Sequence, residues 1–415
     1  MPGEKEPMTT LAQLRALTPQ QRNAVLASFL GWTLDAFDFF LLVFVIKDIA
    51  AEFGTDVKSV TFAIFLTLAM RPLGAFVFGL LADRYGRRPT LMVDIILFSV
   101  LELASAFSPS LTVLIVLRAL YGIAMGGEWG IGASLAMETI PPGARGIVSG
   151  MLQEGYAAGY LLAAIVYYFL FPLIGWRGMF VVGVLPALLV LYIRIHVKES
   201  PVWEQGAQRR ENPLRAIRQH WQLFLYVILL MTAFNFFSHG TQDLYPTFLQ
   251  VQHKLSSHAV GAIAIVYNIG AILGGVLFGA WSERLGRRNA IIIAALLALP
   301  IIPLWAFSET VWQLTLGAFL LQFMVQGAWG IVPVHLNELS PEAARGTFPG
   351  FTYQLGNLLA AGNATIQASI AESHGGNYGL ALALVAAIVA LAVAVLAWLG
   401  RERKGVAFGA TSAAE

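Results

Sequence analysis

The chain contains no cysteine, which excludes disulfide staples, thiolate metal sites and cysteine nucleophiles. Charge is the next scarcity. Asp, Glu, Lys and Arg make up 12% of the 415 residues, about half the share of a soluble domain. Long polar stretches are missing too. The longest interruption, 198–217 (KESPVWEQGAQRRENPLRAI), leaves no room for a sizeable water-soluble domain. The N-terminal run MPGEKEPMTTLAQLRALTPQQ lacks the basic, apolar, small-residue order of a cleavable signal. The first apolar helix is therefore expected to act as the insertion signal, with Thr18-Pro19-Gln20-Gln21 as its N-cap. A net charge of +2 gives no reason to expect a nucleic-acid partner.

What the chain has is oil. Apolar residues make up 57% of it and mean hydropathy is +0.70. Apolar runs of about 20 residues, long enough to cross a bilayer, fall near 22–47, 58–83, 89–107, 111–138, 144–171, 177–197, 218–249, 258–282, 288–307, 311–338, 345–370 and 377–400. The expected fold is an all-α polytopic membrane protein of twelve transmembrane helices in two pseudo-symmetric six-helix halves. Residues 1–197 form the first half, 198–217 a cytoplasmic linker, 218–400 the second half and 401–415 a cytoplasmic tail. With the N-terminus inside, 20 Lys and Arg lie in cytoplasmic segments and four (Lys47, Lys58, Arg177, Lys254) outside; Arg71 and Arg118 complete the 26 from within the membrane. The positive-inside rule then places both termini in the cytoplasm, in a cell membrane read as a bacterial inner membrane.

An internal repeat supports the two halves. GLLADRYGRR at Gly79–Arg88 returns as GAWSERLGRR at Gly279–Arg288, an offset of 279 − 79 = 200. Glu138-Thr-Ile-Pro-Pro-Gly-Ala-Arg-Gly146 returns as Glu338-Leu-Ser-Pro-Glu-Ala-Ala-Arg-Gly346 at the same offset. Parallel repeats of this kind put a binding site between the halves near the bilayer midplane. The offset also pairs Asp35 with Asn235 and Asp38 with Ser238. Glycines at four-residue spacing (Gly122, Gly126, Gly130; Gly270, Gly274) read as close helix packing, and GGEWGIG inside an apolar helix is no phosphate loop.

The most unusual stretch is Asn235-Phe-Phe-Ser-His-Gly-Thr-Gln-Asp-Leu-Tyr-Pro-Thr247, which lies inside an apolar run. Asn235, His239, Gln242 and Asp243 fall within roughly a 100° arc of one helix face. Polar groups at this depth face a bundle interior or a water-filled path, or hold helices together by hydrogen bonds. Two ionisable groups on one stripe favour a ligand or proton path.

The loop pattern at Gly79–Arg88 with its second copy, together with Arg118-Ala-Leu-Tyr-Gly-Ile-Ala-Met-Gly126, resembles the signatures of the major facilitator superfamily across the whole chain. Gly31-Trp-Thr-Leu-Asp-Ala-Phe-Asp-Phe39 and Gly126-Gly-Glu-Trp-Gly130 resemble its sialate:proton symporter family. The pattern N-x-x-[S/T]-H-x-[S/T]-Q-D-x-x-x-T at 235–247 and Tyr353-Gln-Leu-Gly-Asn357 are similar to the lactate/pyruvate permease branch, the Jen type. The 20-residue hinge has no room for the two additional spans of some sialate members, which favours the monocarboxylate branch. The resemblance implies a proton-coupled importer of lactate, pyruvate or similar short monocarboxylates that works by alternating access. A monomer with no cofactor and no enzymatic activity is expected, with the carboxylate, protons and the lipid bilayer as partners. Sialate symport and passive monocarboxylate uniport are the alternatives.

Arg71 lies about 12 residues from either end of the second span, where an unpaired cation is very costly. Its planar fork matches a carboxylate, and the resemblance implies that role for it. The alternative is a permanent buried ion pair with Asp35 or Glu128. Asn235, His239, Gln242, Tyr353 and Gln354 complete the expected substrate site. Asp35, Asp38, Glu128, His239 and Asp243 are the candidates for proton coupling, because each can titrate in response to an arriving anion. Asp83, Arg84, Arg87, Arg88, Glu283, Arg284, Arg287 and Arg288 are expected to make gating contacts on the cytoplasmic face, with positive-inside anchoring as the alternative, and the intramembrane Arg118 is grouped with them in a structural or coupling role.

Overall fold

The computed structural model describes residues 10–206 and 212–409, and the regular structure among them is entirely helical. Lys5, Arg209, Arg210 and the end of the tail (410–415) lie outside the described residues. Ten stretches are long and apolar enough to cross a bilayer. One of them, Pro142–His196, has 55 residues, roughly 80 Å of helix, and so crosses twice. It breaks at Gly175, whose φ of 63° is a left-handed conformation open to glycine at little cost. The broken pair Phe348–Ala360 and Asn363–Ser373 adds the twelfth crossing.

Local sequence sets the helix ends. Thr18 and Gln21 form a reciprocal capping box, with Pro19 opening the first span (Pro19–Phe44). Asp56 caps the second span (Val57–Tyr85) as Ser256 caps the eighth (Ser257–Leu285), and Ser110 caps the fourth (Leu111–Thr139) as Thr310 caps the tenth (Val311–Trp329). These caps keep the 200-residue offset. Gly86 (φ 113°) and Gly286 (φ 89°) make the tight turns after the second and eighth spans. The helix starts that follow are capped from a distance. Glu199 accepts from the Arg87 and Arg88 amides, and Glu402 from the Arg288 amide, each placing an anion at a helix N-terminus. Burial holds the Glu199 carboxyl above the usual range, against the three backbone donors that favour its charged form.

Glycine stripes bring spans together backbone to backbone. A Cβ at Gly126 would lie 2.1 Å from the Arg71 carbonyl, and one at Gly274 2.0 Å from that of Phe323. The second and fourth spans, and the eighth and tenth, therefore pack far closer than larger residues allow.

The halves meet at the face that carries Arg87, Arg145, Arg287 and Arg345. There Gly79 abuts Thr347, Gly130 abuts Gly350, Gly146 abuts Gly279 and Gly150 abuts Gly275. Ser134 donates to the Arg345 carbonyl (2.8 Å), and Ser149 donates to that of Gly330 (2.7 Å) while accepting from the Val334 amide (3.0 Å). Extensive contacts between the halves are confined to this arginine-rich face among the described residues. The space between the halves is thus shut at that face and open toward the other.

Candidate substrate and proton site

Arg71 is 3% exposed, and its Nη2 donates to Asp35 Oδ2 at 3.0 Å; Asp35 is fully buried. The buried pair that the sequence offered as an alternative is what the second and first spans form. It does not saturate the guanidinium, because Arg71 Nε and Asp35 Oδ1 are buried without a hydrogen-bond partner. Glu128 is fully buried on the fourth span with neither oxygen partnered. One oxygen lies over Gly31 of the first span, where a Cβ would sit 2.1 Å from it.

Aromatic rings surround this pair. The Arg71 guanidinium stands 5.9 Å from the centre of the Trp32 ring. Trp32 lies 6.4 Å from Trp129 and 5.5 Å from Tyr156; Tyr353 lies 4.7 Å from Trp129 and 5.7 Å from Trp329. The cage therefore draws on both halves. Gln354, beside Tyr353, is 1% exposed, and neither its amide oxygen nor its nitrogen has a partner. Gly350 contacts Ala75 across the halves. One turn further in on each helix, about 5.4 Å, come Gln354 and Arg71, so the two occupy the same level.

The stripe on the seventh span (Trp221–Gln242) divides on inspection. His239 Nδ1 lies 3.2 Å from Asp243 Oδ1, and its Nε2 lies 3.1 Å from Asn357 Oδ1 of the eleventh span. The His239 and Asp243 side chains are 39% and 36% exposed. Exposure on that scale inside an apolar span marks the open space between the halves. Asn235 is buried and its amide donates to its own helix at Met231 (2.8 Å). Gln242 donates to Gln322 of the tenth span (2.8 Å), which in turn donates to Thr241 (3.0 Å). The structure thus brings together Arg71, Asp35, Glu128 and Tyr353, with Gln354 buried at the same level and His239 and Asp243 as a separate exposed pair. Asn235 and Gln242 join neither group.

Three buried acids escaped the reading of the sequence. Glu102 on the third span (Arg87–Ala106) pairs with Arg118 at 2.7 Å, and Arg118 also donates to Ser105 at 2.6 Å. Asp38, fully buried with both oxygens unpartnered, faces the same place: a Cβ on Gly183 would lie 3.2 Å from an oxygen of each acid. Asp94, also fully buried and unpartnered, reaches toward Gly127. Glu154 on the fifth span crosses to Gly275 of the second half. Counting ionisable residues inside each predicted span would have found all three. The polar partner Asn357 was visible in its motif, but nothing in the sequence showed that it faces His239.

The contact between the halves at the arginine-rich face is built twice. Arg87 bridges Asp83 (3.0 Å) and Glu138 (3.0 Å), and Arg287 bridges Glu283 (2.9 Å) and Glu338 (2.9 Å). Asp83 then accepts from the Gly346 and Thr347 amides, and Glu283 from the Gly146 amide, each in the opposite half. Arg88 and Arg288 point elsewhere: Arg88 donates to the Arg194 carbonyl, and Arg288 to those of Ala397 and Trp398, all within their own halves. Arg84 lies over the Tyr85 ring, and Arg118 belongs to the buried cluster around Glu102.

Comparison with known proteins matches this architecture. The Major Facilitator Superfamily model fits residues 28–256, and the model described as Sugar (and other) transporter fits 222–402. A carboxylic acid transporter protein homolog of Saccharomyces cerevisiae is 32% identical over 89% of this chain, which spans 64% of that relative's length. The sialic acid transporter NanX of Escherichia coli is 28% identical over 95% of this chain and 97% of its own. The structure of the proton:xylose symporter XylE bound to 6-bromo-6-deoxy-D-glucose superposes with a TM-score of 0.77, at 19% identity over 94% of this chain and 98% of that one. Twelve crossings, the repeated ion-pair cluster and a family match over more than half of its own length place the chain in the Major Facilitator Superfamily of transporters.

Proposed function

We propose that the chain is a proton-coupled importer of short monocarboxylates such as lactate and pyruvate, with both termini in the cytoplasm. The observation that carries this reading is the Arg71–Asp35 pair at the closed end of an outward-opening space. An arriving carboxylate takes over the Arg71 fork, using the free Nε and Nη positions. Asp35 then loses its cation while fully buried, and the cheapest form for such a carboxyl is the protonated one. Substrate and proton therefore bind together, which is the requirement for symport. Gln354, with both amide atoms free at the same level, is suited to the oxygen on the second carbon of lactate or pyruvate. Glu128 and Asp38 are the next proton acceptors, and the His239–Asp243 pair lies on the approach. The positive-inside rule makes the arginine-rich face cytoplasmic, so the shut gate corresponds to an outward-open state.

Sialate import is the second reading, supported by the Escherichia coli relative that matches nearly end to end. The tight aromatic cage argues for a small flat anion over a polyhydroxylated sugar acid. The test is uptake of labelled L-lactate into proteoliposomes under an inward proton gradient, repeated with the gradient collapsed by a protonophore. Concentrative uptake that is lost on collapse and blocked by pyruvate, but not by sialic acid, supports the proposal. Equilibration without accumulation makes the protein a uniporter, and entry of sialate without lactate replaces the cargo.

A further inference from the structure

The tail beyond the twelfth span (Tyr378–Leu399) is not free. It runs across the shut gate and touches both halves. Glu402 caps the ninth span through the Arg288 amide (3.0 Å), and Lys404 Nζ donates to the Glu283 carbonyl (3.0 Å). Gly405, at φ 75°, turns its amide onto Glu338 Oε1 (3.0 Å). The chain then crosses to the first half, where Arg145 Nη1 donates to the Val406 carbonyl at 2.8 Å. Phe408 ends the crossing, with its ring centre 3.6 Å from the Arg145 guanidinium and 4.1 Å from that of Arg345.

Those two arginines are pseudo-symmetric partners. Arg145 of the first half lies 3.8 Å from Glu338 of the second, and Arg345 of the second lies 3.7 Å from Glu138 of the first. Both distances are long for ion pairs, and Arg345 Nε and Nη1 are buried without a hydrogen-bond partner. One phenyl ring contacts both cations where direct pairing is weak. The linker covers the first half's gate in the corresponding way: Glu199 caps the third span, and Trp203 Nε1 donates to the Asp83 carbonyl (3.0 Å). The linker is bound to both halves by the chain itself. The tail is joined directly to the second half and reaches the first by non-covalent contacts.

We infer that residues 402–408 act as a releasable strap that stabilises the gate-shut state, with Phe408 as the positioning residue. The ring touches Arg145 and Arg345 together only while the halves are closed at this face. When they part, at least one of the two cation–π contacts is lost, so the strap favours one conformation over the other. The inference does not depend on the cargo, because the gate is described without it.

The absence of native cysteine makes the test direct. Tyr85→Cys and Leu285→Cys place spin labels at exposed ends of the second and eighth spans, one in each half. The distance between the labels reports opening of the arginine-rich face with no substrate present. Phe408→Ala, and separately a chain ending at Gly400, are expected to raise the long-distance population about fivefold, the scale of one or two partly buried cation–π contacts. Phe408→Trp should keep the short distance, and the unfolding temperature of Phe408→Ala should not move. Unchanged distance distributions in both the Ala variant and the shortened chain overturn the strap. So does a Phe408→Ala change that appears only together with a lowered unfolding temperature.

Discussion

Laid over one another at an offset of 200 residues, the two halves agree at the arginine-rich face and disagree inside. Asp83, Arg87, Glu138 and Arg145 face Glu283, Arg287, Glu338 and Arg345, charge for charge. Deeper in, Asp35 becomes Asn235, Asp38 Ser238, Arg71 Ala271, Asp94 Ala294, Glu102 Ile302, Arg118 Ala318, Glu128 Ala328 and Glu154 Gln354. Each of these deeper ionisable groups of the first half has a neutral counterpart in the second. The lesson concerns division of labour. A contact that must hold two halves together needs the same device on both. Ionisable groups in the bilayer interior are costly, and this chain confines nearly all of them to one half. The other places Ala, Ile, Ser, Asn and Gln at those positions, none of which titrates, and has His239 and Asp243 as an exposed pair of its own.

The hardest way to break this contrast is at Arg71. Arg71→Lys keeps the charge but loses the fork, and uptake efficiency should fall on the order of 100-fold, the scale of a broken buried charge pair. Initial rates in proteoliposomes measure it; full affinity in the Lys variant would remove bidentate recognition from the mechanism. Next is the Asp35/Asn235 position. Asp35→Asn should lose accumulation while exchange across a preloaded membrane persists, whereas Asn235→Ala, whose amide serves its own helix, should accumulate normally. If both variants concentrate substrate, the proton binds elsewhere.

The Glu154/Gln354 position sharpens the comparison with a smaller effect. Glu154 crosses to Gly275 of the opposite half, and Gln354 lies buried and unpartnered at the level of Arg71. Gln354→Glu gives the second half its partner's charge and offers Arg71 a competing carboxylate. Apparent substrate affinity should fall about tenfold, roughly 1.4 kcal/mol, while Glu154→Gln leaves it near the native value. Competition binding of unlabelled substrate against labelled separates the two. Equal affinity in both variants would mean that Gln354 does not share the site.

How much of this was legible beforehand follows the same division. Span count, repeat and glycine packing were readable because hydropathy and spacing are properties of the chain alone. Arg71 and Asp35 stood out because a single charge in an apolar run has no local explanation. The face of Asn235 and Gln242 was not readable, because all four residues of the stripe share one helix arc. Which of them bond their own helix, and which turn to the open space, depends on neighbours such as Met231, Gln322 and Asn357. The tail was unreadable for a different reason: Phe408 matters only through two arginines more than 60 residues away, in different halves.

The mildest test lies at the open face, where the two halves solve one problem with different chemistry. In the first half Glu52 pairs with Arg177 (2.7 Å) and accepts from the Trp176 indole; in the second, Gln252 accepts from the Gly379 amide (3.0 Å). Glu52 and Gln252 are again 200 residues apart. The Arg177 hydrogen bond, more than any other cause, holds the Glu52 carboxyl below its usual range. A depressed folded value means that the pair stabilises the protein above the unfolded carboxyl value, about 4.3, and that this is lost as pH falls through the folded one. Glu52 and Arg177 are more than a third exposed, so solvent screening limits the contribution to about 0.5 kcal/mol. Glu52→Gln should therefore lower the unfolding temperature of the detergent-solubilised protein slightly at pH 7, with the difference closing below about pH 4. Gln252→Ala should cost a similar amount at both pH values, since an amide has nothing to titrate. A deficit for Glu52→Gln that persists in acid would mean that the first half's clasp works through its hydrogen bonds alone, and that at this face the charge makes no difference.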